Sequence, residues 1–309
     1  MAEITAGLVK ELREKTCAGM MDCKKALAET NGNLEEAVDY LRKKGLSVAE
    51  KKSGRVANQG LVGVGVKGNM GILVEVNSET DFVARNTDFQ KFVTDVVDLA
   101  LAKETLEDIQ AVKTADLNGK SVEATLTDLI AKIGENMNLR QIAFVKLKSN
   151  GVVVPYMHTA AAPNLGKIGV LVGLDSDADK AALSELGKKI AMHIAAASPR
   201  FLRIEDVDSE TLAREKAIYE EQAKSSGKPA NIIEKMVEGR LRKFYEEVVL
   251  LEQSFVMNPD QKIKDVIADA SKQLGKPVEL SGFMRFNLGE GIEKKEEDFA
   301  AEVNKQLGK

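Results

Sequence analysis

Two stretches of this chain, 98 residues apart, follow one pattern, and that repeat limits the fold more tightly than any other feature. Residues 71–81 read Gly-Ile-Leu-Val-Glu-Val-Asn-Ser-Glu-Thr-Asp. Residues 169–179 read Gly-Val-Leu-Val-Gly-Leu-Asp-Ser-Asp-Ala-Asp, and five of the eleven positions are identical. The register continues without a gap into the next segment, where Phe92 aligns with Ile190 and Val96 with Ile194. A β-type run therefore passes into an amphipathic helix in both copies. Later, Ile142 to Lys146 is echoed by Ser281 to Arg285. Two similar strand–strand–helix–strand units lying side by side are the expected architecture.

The first copy carries its own punctuation. Leu61 to Val66 and Ile72 to Val76 flank Lys67 to Gly71, a hairpin pattern. Phe89, Phe92, Val93, Val96, Val97 and Ala100 then line one face of a helix, with Thr87 and Gln90 spaced as its capping box. A second helix over about 121–135 leads to a strand bearing Ile142, Phe144 and Leu147. The second copy is interrupted. From Asp208 to Val249 the chain is charged and helical, with Leu212, Tyr219 and Ala223 on one stripe. After a turn at Ser226 to Pro229, Ile233, Val237, Leu241, Phe244 and Val248 mark the returning stripe. This predicts an inserted antiparallel helical hairpin. Either it projects, or pairs with another subunit, or it folds flat on the core.

Before the repeat lies a compact three-helix unit. Ile4, Leu8 and Leu12 follow helical spacing behind a Thr5 cap, and Cys23, Ala26 and Leu27 belong to a second helix. Asn33 with Glu36 forms a capping-box pattern ahead of Leu34, Ala37, Val38 and Leu41. Gly45 is expected to end that helix, and the charged, small residues 46–58 read as a linker. The chain is thus expected to be α+β. Its parts are a three-helix N-terminal domain with linker (1–54), a first core subdomain (55–148), a second (149–200 and 245–287), the inserted hairpin (201–244) and a C-terminal module (288–309).

Composition narrows the function. A net charge of -4 opposes a role centred on nucleic acid, since phosphate binding calls for basic excess. Cys17 and Cys23 are the two cysteines, too few for a disulfide framework, and they fit a reducing compartment. With His158 and His193 far apart in sequence, they make a poor zinc set. No signal-peptide pattern or bilayer-length apolar run occurs, so a cytoplasmic location is expected.

Few residues suggest chemistry. Gly63, Gly65 and Gly68 match the spacing of a dinucleotide fingerprint, but a strand follows them where the motif requires a helix. They read as structural glycines of a twisted hairpin. His193 sits beside Ile190 and Ile194 on a helix and reads as a packed histidine; His158, at the end of a strand, faces solvent or a partner. Neither has a nucleophile arranged near it. Met20 and Met21 lie in a turn where one is expected to fill the core and the other to meet a partner. Phe82 and Val83 lie in a connection between strand and helix, an unusual place for apolar residues, and the second repeat has Lys180 and Ala181 there. Phe82 either packs locally or inserts into a partner.

Several sequence words carry a family resemblance. They are Gly19 to Leu27, with Met20-Met21-Asp22-Cys23; Glu75 to Ala84, with Asn77-Ser78-Glu79-Thr80-Asp81-Phe82-Val83; Ile190 to Ala196; Lys235 to Arg240; and Gly289 to Glu293. In this order and along nearly its whole length the chain resembles the bacterial elongation factor Ts family. Cys17 departs from the glycine common there. The resemblance implies a ubiquitin-associated-like N-terminal domain, a core of two related α/β subdomains with antiparallel sheets, a helical hairpin and a C-terminal helical module. It also implies guanine-nucleotide exchange on elongation factor Tu, with no cofactor of its own. Thr80, Asp81, Phe82 and Val83 would dislodge the partner's Mg²⁺ ion. Met20 and Met21 would grip the same domain of that GTPase, and His158 would meet another; the hairpin permits a dimer of heterodimers. Two other readings stand beside this one: a binding module for ribosomal or nascent-chain contact built on the N-terminal unit, and a nucleotide-dependent enzyme using Gly63 to Gly68.

Overall fold

The structure is a computed structural model that describes residues 4–16, 18–103, 106, 108–225 and 229–293. Cys17, the turn residues Ser226 to Lys228 and most of the proposed C-terminal module lie outside the described residues.

The chain opens with helices α1 (Ala6–Thr16), α2 (Met20–Glu29) and α3 (Leu34–Lys52). Leu12, Cys23, Ala26, Leu27 and Ala37 form their common core. Thr5 Oγ1 accepts the Leu8 amide and Asn33 Oδ1 accepts those of Glu35 and Glu36, so both residues cap; the reciprocal arm of the Asn33–Glu36 box differs, because the Asn33 backbone amide donates to the Thr30 carbonyl and Glu36 accepts from Asn33 Nδ2. The expected stop at Gly45 is absent. Helix α3 runs on through the supposed linker to Lys52, and Gly45 is buried where a side chain would meet Ala131. A glycine inside a helix costs about 1 kcal/mol against alanine. The helix-forming residues Ala49 to Lys52 and the close approach to a later helix outweigh that cost here.

The first unit comprises β1 (Gln59–Lys67), β2 (Met70–Ser78), α4 (Thr87–Ala102), α5 (Ile109–Thr114), the short pair β3 (Asp116–Leu117) and β4 (Lys120–Ser121), α6 (Val122–Ile133) and β5 (Met137–Lys146). The second begins with β6 (Gly151–Ala162), β7 (Leu165–Asp175) and α7 (Lys180–Ala197). Then come the hairpin helices α8 (Ser209–Lys224) and α9 (Ala230–Val248), the strand pair β8 (Ser254–Phe255) and β9 (Asn258–Lys262), α10 (Ile263–Leu274) and β10 (Glu279–Asn287). The fold is α+β with antiparallel pairing throughout its strand ladders. In the first unit β2 lies between β1 and β5; in the second β7 lies between β6 and β10. A short bridge from Val62 and Gly63 to Gly166 and Leu165 joins the two ladders.

The two units meet face to face across Val62, Val64, Leu73, Val145, Val153, Leu171 and Phe286. The repeat explains how closely. A Cβ on Gly71 would fall 2.7 Å from Leu171, and one on Gly169 would fall 2.8 Å from Leu73. Gly71 and Gly169 are equivalent positions of the repeat, as are Leu73 and Leu171. Each leucine therefore fills the notch left by the other unit's glycine. The outer face of the first ladder is covered by α4 and that of the second by α7. Gly63 and Gly65 are where α4 approaches closest: side chains there would strike Val93 and Val97 at 2.8 and 2.5 Å. Their spacing serves packing, as expected.

Helices α8 and α9 contact chiefly each other, and their root is sealed by Val207, Phe244 and Val249. The flat placement on the core is not adopted.

Candidate functional site

The connection from β2 to α4 is pinned almost everywhere except at its tip. Ser78 Oγ donates to the Thr80 carbonyl (3.0 Å). Glu135, in the turn between α6 and β5, accepts both the Thr80 amide (3.0 Å) and its hydroxyl (2.7 Å). Reciprocally, Glu79 accepts the amide of Asn136 (2.5 Å) and pairs with Arg55 (3.4 Å). Beyond the tip, Val83 is buried in the core of the first unit and opens a 3₁₀ turn, Val83–Arg85. The Phe82 carbonyl accepts the Arg85 amide (3.1 Å).

Helix α4 then starts behind Asn86, whose side chain accepts the amides of Asp88 and Phe89. This corrects the Thr87–Gln90 capping box. Thr87 is the first helical residue, and Gln90 instead donates to the Ala84 carbonyl (2.9 Å).

Of the four residues from Thr80 to Val83, only Asp81 and Phe82 face outward. Phe82 is 76% exposed, the most of any large apolar residue described. The second unit shows that the fold does not require this loop. There α7 begins at Lys180, the position aligned with Phe82, capped by Asp179 through the Ala182 amide.

The other candidates are scattered. Met20 and Met21 are the first two residues of α2 and are 60% and 74% exposed. The expectation that one fills the core fails, because the core face of α2 is taken by Cys23, Ala26 and Leu27, one turn further on. Nearby, Asp22 pairs with Lys44 of α3. His158 is exposed on β6, its Nδ1 3.1 Å from the Tyr156 hydroxyl. His193 is fully buried, with Nε2 2.9 Å from Gln253 Oε1. Burial pushes its imidazole below the ordinary value, with the Gln253 contact opposing. Cys23 is buried as well, and burial pushes its thiol up, away from the reactive thiolate. Among the described residues no group of three or more His, Cys, Asp or Glu is placed to hold a metal ion, and no helix is long and apolar enough to cross a membrane.

A sequence model of the family described as Elongation factor TS matches residues 79–290, a span that opens one residue before Thr80. Proteins named Elongation factor Ts from Rhodospirillum rubrum and Rhodospirillum centenum are 62% and 58% identical, each alignment covering 100% of both chains. One from Rhizobium etli is 54% identical over 98% of each. The chain belongs to the elongation factor Ts family. Its role is that of a translation elongation factor.

Thr80 to Val83 fall within the family match, whereas Met20 and Met21 are reached by the full-length relatives alone. The sequence offers no sign of Glu135 and Asn136 as supports of the loop, and it shows Glu79 as part of a family word and Arg55 as part of a linker without their roles in shaping it. Nothing local marks Glu135. Its partner is 55 residues away, and only the pairing of β2 with β5 brings the two together.

Proposed function

We propose that this chain is a guanine-nucleotide exchange factor that binds elongation factor Tu in its GDP form and releases the nucleotide, with no covalent chemistry of its own. The observation that carries this reading is a bare aromatic ring at the tip of a loop that is fastened on both sides, at Thr80 and at Val83. Holding an apolar ring in water is unfavourable for the free protein, and the cost is recovered when a partner covers it. Burying roughly 200 Å² of ring at about 25 cal/mol/Å² is worth up to ~5 kcal/mol. That is enough to favour an opened state of a GTPase that offers the ring a cavity.

A GTPase holds GDP through backbone amides, a lysine and Mg²⁺. Insertion of Phe82, with the Asp81 carboxylate beside it, would displace the ion and the loops that hold the phosphates. Thr80 and Val83 serve as the two fixed ends. Met20 and Met21, both exposed, supply a second contact, and His158 a third. Linkage makes the effect mutual: whatever factor this chain takes from nucleotide affinity, nucleotide takes from its own. Arrival of GTP thus expels the factor.

Release of a fluorescent GDP analogue from purified elongation factor Tu, chased with unlabelled GDP, tests the reading. Wild-type chain should accelerate release strongly, and Phe82→Ala should lose about 30-fold or more of that acceleration, the scale of a hot-spot side chain. Release that the wild-type chain leaves unchanged would reject the exchange function.

A further inference from the structure

We infer that Glu135 is a positioning residue for nucleotide exchange, acting through Phe82; this rests on the exchange reading above. Strands β2 and β5 pair up to Ser78 and Met137, where the backbone ladder ends. The register nevertheless continues for two more steps, through side chains. Glu79 meets Asn136, and Thr80 meets Glu135. At the last step one carboxylate takes both donors of Thr80, one oxygen on the amide and the other on the hydroxyl.

The turn that presents Glu135 is itself secured. Gly134 takes positive φ to close α6, and its carbonyl accepts from Lys52 at the end of α3. Asn136 Nδ2 donates to the Arg55 carbonyl (2.7 Å). The segment carrying Phe82 is therefore gripped on one side by Glu135 and on the other by buried Val83, and the side chains of Asp81 and Phe82 stand exposed between them.

Physical chemistry assigns the consequence. An insertion that must find its geometry within the complex is slowed by the fraction of time the loop spends elsewhere. Removing Glu135 leaves the Thr80 amide and hydroxyl without their acceptor, so that the Ser78 hydroxyl on the Thr80 carbonyl remains as the hold at that end, and lowers the competent fraction. The remaining contact surfaces are untouched, so docking should persist while insertion weakens. The essential property is the pair of hydrogen bonds, not the negative charge. A glutamine retains both: its carbonyl accepts the Thr80 amide, and its amide group donates to Thr80 Oγ1.

The test is stopped-flow release of the fluorescent GDP analogue from elongation factor Tu over a range of concentrations of the full chain. It compares wild type, Glu135→Ala, Glu135→Gln, Phe82→Ala and the double variant Phe82→Ala/Glu135→Ala. Glu135→Ala should lower the saturating rate roughly tenfold, with a half-saturating concentration within about twofold of wild type. Glu135→Gln should recover to within about threefold, and the double variant should match Phe82→Ala, because a positioning residue has nothing left to position.

Three outcomes would overturn the assignment. One is a saturating rate for Glu135→Ala within about twofold of wild type. Another is a double variant that loses the full Glu135→Ala factor beyond Phe82→Ala. The last is a loss in Glu135→Ala when Phe82→Ala is harmless. No acceleration by wild type removes the exchange reading itself, and the inference with it. Should Glu135→Ala fail a thermal-unfolding check, Thr80→Val serves in its place. It deletes only the hydroxyl arm and should show a smaller loss, likewise absent in the Phe82→Ala background.

Discussion

Buried between α7 and the segment ahead of β9, His193 is held from both ring nitrogens. Its Nδ1 accepts the Val256 amide (3.2 Å), which fixes the proton on Nε2, and that nitrogen donates to Gln253 Oε1 (2.9 Å). Gln253 in turn donates to the Glu247 carbonyl (2.7 Å), so the ring ties α7 to the end of α9. A second proton would sit on Nδ1 and oppose the Val256 N–H, and burial already disfavours the charge. The folded-state value is thus depressed below 6.5. The unfolded chain binds this proton first as pH falls. The stabilisation is complete above about 6.5 and is lost progressively below it, down through the folded-state value. Urea unfolding of the wild type at steps from about pH 7.5 to pH 5 should show a decline that His193→Gln lacks; equal slopes would refute the assignment. The packed state of His193 was legible in sequence, since its neighbours Ile190 and Ile194 share a helical face. Its partners were not, because Gln253 and Val256 lie about 60 residues on, beyond the inserted hairpin. Phe82 shows the same limit: a sequence marks it as an apolar residue in a loop, and only the fold decides whether a core reaches it.

At the scale of elements, periodicity was a sound guide to what forms and a weaker one to where it stops. The hairpin of β1 and β2, the face of α4 and both helices of the insertion follow their apolar spacing. The ends differ for identifiable reasons. Gly45 reads as a stop until α6 is seen to lie against it. The start of α4 offers Asn86 and Thr87 side by side, both able to cap, and a 3₁₀ turn over Val83–Arg85 fixes the chain direction so that Asn86 occupies the cap. The short elements α5, β3 and β4 lack enough residues to show a period at all. The cap assignment has a sharp test. Asn86→Ala should lower unfolding free energy by about 1 kcal/mol, while Thr87→Ala should stay within about 0.5 kcal/mol of wild type, measured by urea titration. The opposite ranking would restore the cap to Thr87. Packing between elements makes a further demand. Gly65→Val would drive a branched side chain into Val97 and Leu101, so α4 must lift or the strand must bend. A loss of roughly 1–3 kcal/mol is expected, and an unchanged melting temperature would show that α4 has room to spare.

At the scale of the molecule, the repeat was legible because both copies bury the same pattern, and the exchange of glycine notches by Leu73 and Leu171 is its three-dimensional form. The way the chain closes on itself was hidden, because it depends on a charge inside a strand. Glu75 is fully buried on β2, yet it accepts from Arg140 (3.1 Å), from Asn77 (2.9 Å) and Gln141 (2.5 Å), and from the amide of Gly289 (2.9 Å), 214 residues away. Arg140 also donates to the Glu290 carbonyl (2.5 Å). Gly289 adopts positive φ there, with Asn58 O 2.5 Å from where a Cβ would stand, so no other residue fits the seat. The carboxylate thus latches the segment after β10 onto the first unit. Alternation along β2 would read Glu75 as a solvent-facing position, and nothing near it in sequence announces a partner at Gly289. Glu75→Ala leaves Arg140 without its carboxylate and the Gly289 amide without an acceptor. Breaking a buried pair in this way costs about 3–5 kcal/mol, far more than an exposed ion pair would. Hydrogen exchange gives the local reading: the amide of Gly289 should lose protection in Glu75→Ala, while amides of α7 change only as far as global stability falls. A variant that unfolds within about 1 kcal/mol of wild type, with Gly289 still protected, would mean that the segment is held by its own turn and not by Glu75.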